Sequence, residues 1–159
     1  MPWIWMKGRV MGQGGRKLML GLTGSLGSGC TTLSEALARN GFRRVSISKL
    51  IKEKFSELHP GKMPTHESYG PDWRAELQDI GNDGRSGKFI AKGVATENHS
   101  AYWVDMALKG VDPQGDDVVI DGIRNCAEVE YLRDRYSQFW LIAVCADRAI
   151  RWSRLQKKE

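Results

Sequence analysis

Short continuous apolar runs alternate along this chain with longer segments whose apolar residues recur every three or four positions. The run Lys17 to Thr23 reads as a short buried strand, and Thr31 to Asn40 as a helix with Leu33, Ala36 and Leu37 on one face. Gly41 stands where a helix-terminating glycine belongs. Arg43 to Ile47 follows as a second strand, so the chain opens with a βαβ unit of right-handed crossover. From Ser48 to about Lys109 the period is helical: Lys49 to Leu58 form one helix, His59 to Pro64 a loop, and Pro71 suits the first turn of another helix. There Trp73, Leu77 and Ile80 make the buried stripe, while Arg74, Gln78, Gly81 and Arg85 line the neighbouring edge. Phe89 to Glu97 and Tyr102 to Leu108 complete the helical region.

After the turn Asp112 to Gly115, Asp117 to Asp121 is an apolar strand ending on an acid. A helix begins near Ala127 and carries Val129 and Leu132; Phe139 to Val144 reads as a fourth, fully buried strand. Asp147 caps a last helix bearing Arg148, Arg151, Arg154, Lys157 and Lys158. Continuous apolar strands separated by helices predict a parallel sheet covered on both faces. Residues 1–16, with four glycines and no sustained period, read as a loose leader.

Composition narrows the class. A chain of 159 residues, 41% hydrophobic and 27% charged, suits one soluble globular domain. No apolar run approaches the roughly 20 residues that span a bilayer, and Trp3-Ile4-Trp5-Met6 is too short for a secretory signal. The expected location is the cytoplasm. Cys30, Cys126 and Cys145 are too few and too scattered for a disulfide framework or a zinc cluster. The formal charge of +5 is spread along the chain without a nucleic-acid-binding signature, so direct nucleic-acid binding is not expected.

The chemistry concentrates between the first strand and the first helix. Gly24-Ser25-Leu26-Gly27-Ser28-Gly29-Cys30-Thr31 fits a phosphate-binding loop except that Cys30 stands where a lysine is usual. Gly24, Gly27 and Gly29 let backbone N–H groups turn around an anion, and the following helix adds its positive end. Ser25, Ser28, Cys30, Thr31 and Thr32 complete the cradle for a nucleotide phosphate, and the Thr31 hydroxyl stands where magnesium would be held. The spacing is not that of a dinucleotide-binding G-x-G-x-x-G loop. A lysine would reach the β- and γ-phosphates as a point charge, and a thiol cannot. Either another cation takes that role, or phosphoryl transfer is slow or absent. A thiolate beside a triphosphate would be repelled, so Cys30 reads as a neutral packing residue.

Asp121 ends a strand on the ligand side of an open α/β sheet, where it could hold magnesium or act as a base; its bland alternative is capping the next loop. Arg124 lies close to the same edge. Arg74 and Arg85, 11 residues apart, can look into one cleft with Gln78 between them, or be solvated surface arginines. Arg151, Arg154 and Lys158 share one helix face and could replace the missing lysine, although such stripes are commonly solvated. His59, His66 and His99 look isolated; the six tryptophans read as residues of the core and its margins, though Trp73 or Trp103 could stack on a base.

With these pieces the chain resembles the P-loop nucleotide kinases, which include nucleoside monophosphate kinases and dephospho-CoA kinases. Asp121-Gly122-Ile123-Arg124 is similar to the Asp-Gly-Phe-Pro-Arg signature of adenylate kinases, one residue shorter. The likeness is strongest to a kinase-like family, some members of which precede a deoxycytidylate deaminase domain. That family carries Gly-Ser-Gly-Cys-[Ser/Thr], Leu-Gln-Asp-x-Gly-Asn followed by arginine, and Asp-x-Ile-Arg-Asn-x-x-Glu-Val-Glu. Here these are Gly27 to Thr31, Leu77 to Asn82 with Arg85, and Asp121 to Glu130.

The resemblance covers residues 17–159 and implies a three-layer P-loop NTPase fold with strand order 2-3-1-4. It implies ATP and Mg2+ as cofactors, a nucleotide monophosphate as substrate, and 48–109 as the acceptor-binding region with Arg74 and Arg85 on the acceptor phosphate. Arg151, Arg154 and Lys157 fall where the lid over the triphosphate begins. Such kinases continue through a lid and a fifth strand, so a C-terminally truncated domain with its fourth strand at an exposed edge is expected. No deaminase zinc motif is present in the sequence. The leading expectation is phosphoryl transfer from ATP to a (deoxy)nucleoside monophosphate, with Asp121, Arg124 and Arg154 in catalysis. The alternatives are a nucleotide-sensing regulatory domain, which Cys30 favours, and a dephospho-CoA kinase. The latter is weakened because Val45-Ser46-Ile47-Ser48 lacks the aspartates of that family.

Overall fold

The computed structural model describes residues 17–90, 99–112 and 115–156. The leader, most of the helix expected over Phe89 to Glu97, Pro113 and Gln114 of the turn, and Lys157 and Lys158 lie outside the described residues. In chain order the elements are β1 (Met19–Thr23), α1 (Cys30–Arg39), β2 (Arg43–Ser46), α2 (Ile47–Leu58), the single turn α3 (His66–Tyr69) and α4 (Trp73–Arg85). A 3-10 turn (His99–Ala101) leads into α5 (Tyr102–Leu108), followed by β3 (Val118–Asp121), α6 (Cys126–Arg135), β4 (Phe139–Ala143) and α7 (Arg148–Gln156).

The four strands form one all-parallel sheet in the order β2-β3-β1-β4. Alternation along each strand separates two cores. Leu20, Leu22 and Val119 point to one face and pack with Cys30, Leu33 and Leu37 of α1. Met19, Val118 and Ile120 point to the other, against Ile47 and Phe55 of α2, Ile80 of α4, Trp103 and Val104 of α5, and Leu132 of α6. The result is a three-layer α/β arrangement. The connection leaving β1 runs through α1 toward β2, whereas the one leaving β3 runs through α6 to β4, on the opposite side of β1. Adjacent strands whose exits diverge leave a crevice beyond their carboxyl ends, the usual ligand position in open α/β sheets.

Several boundaries differ from expectation for physical reasons. β2 stops at Ser46, because Ile47 is 1% exposed and already begins α2. Pro71 precedes the N-cap Asp72 rather than entering the first turn of α4, whose first bond runs from Glu76 N–H to the Asp72 carbonyl. Within that helix Ile80 is buried, but Trp73 and Leu77 are only half-buried. Gly41 behaves as expected: at φ 94° it donates to the Ala38 carbonyl and ends α1.

The strand order and the edge position of the fourth strand are those the resemblance implies, whereas the reading of that strand as fully buried is corrected. β4 pairs only with β1 and forms the sheet edge among the described residues, leaving Trp140 63% and Leu141 38% exposed. A run apolar on both faces has the composition of an inner strand, but periodicity alone does not reveal which strands have two neighbours. Trp103 takes the core reading rather than the base-stacking alternative. It is 2% exposed and donates from Nε1 to the Gly81 carbonyl at 2.8 Å, so it belongs to the core rather than to a base-stacking surface. Nor is His59 isolated, since Nε2 lies 3.1 Å from Glu76 Oε1 and its ring packs on Phe55 and Tyr69.

Candidate functional site: a glycine turn beside two charge networks

The loop between β1 and α1 is shaped by its glycines. Ser28 N–H donates to the Ser25 carbonyl at 3.0 Å, closing the turn. Gly27 and Gly29 hold φ of 82° and 109°, a region that side chains disfavour. Gly24 is required for space: a Cβ there would stand 2.5 Å from the Val144 carbonyl and 2.9 Å from Cys30 Sγ. Gly29 is the N-cap of α1 and supplies no side-chain cap. Among the described residues the N–H groups of Cys30, Thr31 and Thr32 have no partner, and the first intrahelical bond comes from Leu33 to Gly29. Uncapped donors on the positive end of a ten-residue helix make a cradle suited to phosphate oxygens.

The outer side of this turn rests on α7. Arg154 Nη1 donates to the Gly27 and Ser28 carbonyls at 3.0 and 3.2 Å. The Arg151 backbone lies so close that a Cβ on Gly27 would come within 3.0 Å of its carbonyl. Arg154 therefore braces the back of the loop, while Arg151 donates from Nε to the Ala146 carbonyl. A cleft of about 170 Å³ opens beside them, lined by Gly24, Ser25, Ser28, Val144, Cys145 and Arg151. The Cys30 thiol is 3.5 Å from Ser28 Oγ and packs among the apolar residues under α1. It supplies no cation.

Asp121 ends β3 opposite Leu22 of β1 and is 6% exposed. Its carboxylate faces α1, where the Ser34 hydroxyl lies 3.3 Å from Oδ2 and 2.9 Å from the Thr31 carbonyl. The single hydroxyl proton has both acceptors within reach, so Ser34 sits between the first turn of α1 and Asp121. Arg44 of β2 completes the group, donating from Nε to Ser34 Oγ at 2.8 Å and approaching Asp121 at 3.5 Å and Glu35 at 3.7 Å. Sequence reading missed Arg44 and Ser34. The only available signal was that Arg44 lies two positions before Ser46, which pairs with Asp121, and so shares its sheet face.

The second network lies across the sheet. Glu128 is fully buried, and its carboxylate is shared among three donors. Oε2 accepts from the Arg124 and Asn125 N–H groups at 2.8 and 3.2 Å, and Oε1 accepts from Arg85 Nε at 3.0 Å. Asn125 returns the favour by accepting from Glu128 N–H at 2.7 Å, a complete capping box for α6. Arg85 also donates from Nη1 to the Gly81 carbonyl at 3.2 Å; its Nη2 is buried without a partner. Arg85 is thus no solvated surface arginine. Arg74 and Gln78 are exposed on the same helix, and the Arg74 guanidinium stacks over Trp73, 5.0 Å from the ring centre. The Arg124 side chain is exposed beside a second cleft of about 200 Å³, between Thr23, Ile123, Val129 and Leu141.

Among the described residues no group of three or more His, Cys, Asp or Glu side chains is gathered to hold a metal. The residues nevertheless suit a phosphate-bound magnesium ion, which takes most of its ligands from phosphate and water and needs few from protein. Thr31 is exposed on the first turn of α1, and Asp121 is tied to that turn through Ser34. No described helix is long and apolar enough to cross a membrane.

A parallel sheet with a glycine turn at its inner strand is consistent with an α/β NTPase-like fold. No family model matches the chain. It is similar to archaeal proteins named UPF0200, names that state no activity. One from Saccharolobus islandicus is 26% identical over 136 residues, 84% of this chain and 61% of that protein. Another from Pyrobaculum aerophilum is 31% identical over 139 residues, 86% of this chain and 64% of the relative. The chain thus spans about three fifths of the length of these curated relatives.

Proposed function

We propose that this chain is an ATP-binding, nucleotide-kinase-like protein that transfers the γ-phosphoryl group to a nucleoside or deoxynucleoside monophosphate. The observation that supports this best is the open N-terminus of α1: unpartnered N–H groups at Cys30, Thr31 and Thr32 behind a glycine turn, with Asp121 tied to the same turn. In this reading residues Gly24 to Thr32 hold the donor phosphates, and Thr31 and Asp121 hold the ion. Magnesium, when bound, neutralises charge on the donor oxygens. Arg85, Arg74, Gln78 and Arg124 hold the acceptor. Catalysis is then positioning plus charge neutralisation.

Cys30 supports a second reading, a nucleotide sensor without turnover, because the thiol packs against the core and supplies no charge at the lysine position. Arg154, the expected substitute, is occupied with loop carbonyls. Coupled ATP turnover against a panel of monophosphates, alongside calorimetry with ATP, separates the two. Turnover abolished by Thr31→Ala and Asp121→Ala supports the kinase. Tight ATP binding with no product supports the sensor, and activity indifferent to both substitutions sinks the kinase assignment.

A further inference from the structure

A protein cation already stands beside the carboxylate that the kinase reading gives to magnesium. Arg44, the second residue of β2, pairs with Val119 and reaches along the α1 face of the sheet toward Asp121. Each of its three guanidinium nitrogens meets a different group. Nε donates to Ser34 Oγ at 2.8 Å, Nη2 approaches Asp121 Oδ2 at 3.5 Å, and Nη1 lies 3.7 Å from Glu35 Oε1. The short bond is the one to the neutral hydroxyl. Both carboxylate contacts exceed the roughly 2.7–2.9 Å of a close charge-assisted bond. The charge is therefore held between two acids and committed to neither.

Asp121 is engaged on one side only. Oδ2 takes both contacts, from Ser34 and from Arg44. Oδ1 accepts no bond from a described residue, yet it is not sealed: Arg85 Nη2 is the one buried side-chain atom without a partner among the described residues. For a divalent cation the two sides act in opposite senses. The open oxygen is a ligand. The guanidinium behind it is a like charge a few ångströms away, and its side chain is 29% exposed. Nucleotide phosphates reverse that balance, because they bring negative charge together with the ion.

We propose that Arg44 is a positioning residue for Asp121 that sets its metal specificity, keeping the carboxylate from a free divalent cation and leaving Oδ1 to one that arrives on nucleotide phosphates. This rests on the kinase reading, in which Thr31 and Asp121 hold the ion. Arg44 acts through Asp121 and makes metal binding depend on nucleotide binding, a coupling that runs equally in both directions.

The test is titration with Mn2+, read from the EPR signal of the free ion, without nucleotide and then with a non-hydrolysable ATP analogue. Arg44→Gln removes the charge and should tighten nucleotide-free Mn2+ binding about tenfold, with a change of less than about threefold when the analogue is present. Arg44→Lys keeps the charge and should stay within about twofold of the native chain in both. Asp121→Asn in the Arg44→Gln background should cancel the gain, which locates it at Asp121. Loss of a merely structural ion pair weakens a neighbouring site, so a gain of metal affinity is a readout that such a role does not give. Should Arg44→Gln fold poorly, Glu35→Gln, at a side chain 49% exposed, releases Arg44 to Asp121. It should weaken nucleotide-free Mn2+ binding about two- to threefold. Unchanged or weaker Mn2+ binding in Arg44→Gln, or unchanged binding in Glu35→Gln, overturns the role of Arg44 alone. If Asp121→Asn leaves Mn2+ binding with the analogue untouched, the metal half of the kinase reading falls as well.

Discussion

The two faces of the sheet handle charge in opposite ways. Under α1 the proposed phosphate cradle is made of backbone: glycines at positive φ and open N–H groups, beside a loose group in which Arg44 stands 3.5 Å from Asp121 and remains 29% exposed. Across the sheet the charge is carried by side chains and sealed, with Glu128 fully buried and its three acceptor bonds between 2.8 and 3.2 Å. A backbone cradle tolerates side-chain change and fails when a glycine is filled. A sealed ion pair tolerates its surroundings and fails when either partner is removed.

The sharpest way to break that contrast is Glu128→Ala. It strands the Arg85 charge and removes the α6 cap, and the loss should be about 3–5 kcal/mol in urea denaturation. An unchanged midpoint would mean the pair is not sealed. Gly24→Val attacks the other face, forcing a side chain against the Val144 carbonyl. It should cost about 1–3 kcal/mol and abolish ATP binding in calorimetry, whereas monophosphate binding should persist.

A third effect is read in pH. Burial, and then its 2.7 Å bond to Asp105, push the Tyr131 phenol up to about 12. The folded state holds this proton more tightly than the unfolded chain does. The contribution is therefore fully present below the ordinary phenol pKa of about 10 and is lost as pH rises from there through the folded value. The stability difference between the native chain and Tyr131→Phe should shrink over that window; a difference constant across it would contradict the assignment. The smallest effect belongs to the sheet edge. Trp140→Lys, on a side chain 63% exposed, should move stability by no more than about 0.5 kcal/mol. A larger loss would show that β4 is covered in solution.

Legibility follows the same division. The β1 strand, the glycine turn and α1 lie within about twenty consecutive residues, and their chemistry is local, so spacing alone exposed them. Asp121 was legible for a related reason, since an acid closing a buried strand lies at the ligand end of the sheet. Arg85 was singled out by helical spacing, but its partner was not: no local pattern links α4 to the cap of α6. Arg154 was expected over the phosphates, and only packing of α7 against the turn reveals its bonds to the loop carbonyls. Periodicity alone reads the β4 run as fully buried, because an edge strand and an inner strand can have the same composition, whereas the resemblance already puts the fourth strand at the edge.

By itself the sequence determined the elements, the parallel sheet with helices on both faces, and a glycine turn that only those residues can form, because each depends on neighbours a few positions away. The strand order, with the fourth strand at the edge, is the one the resemblance implies; the tertiary structure decided which charges meet. It set Arg44 and Ser34 beside Asp121, packed Cys30 against the core, and gave Glu128 both Arg85 and the Arg124 backbone. The pairings of Arg44 with Ser34, Arg85 with Glu128 and Ser34 with Asp121 join residues 10, 43 and 87 positions apart, where chain topology rather than local preference sets proximity.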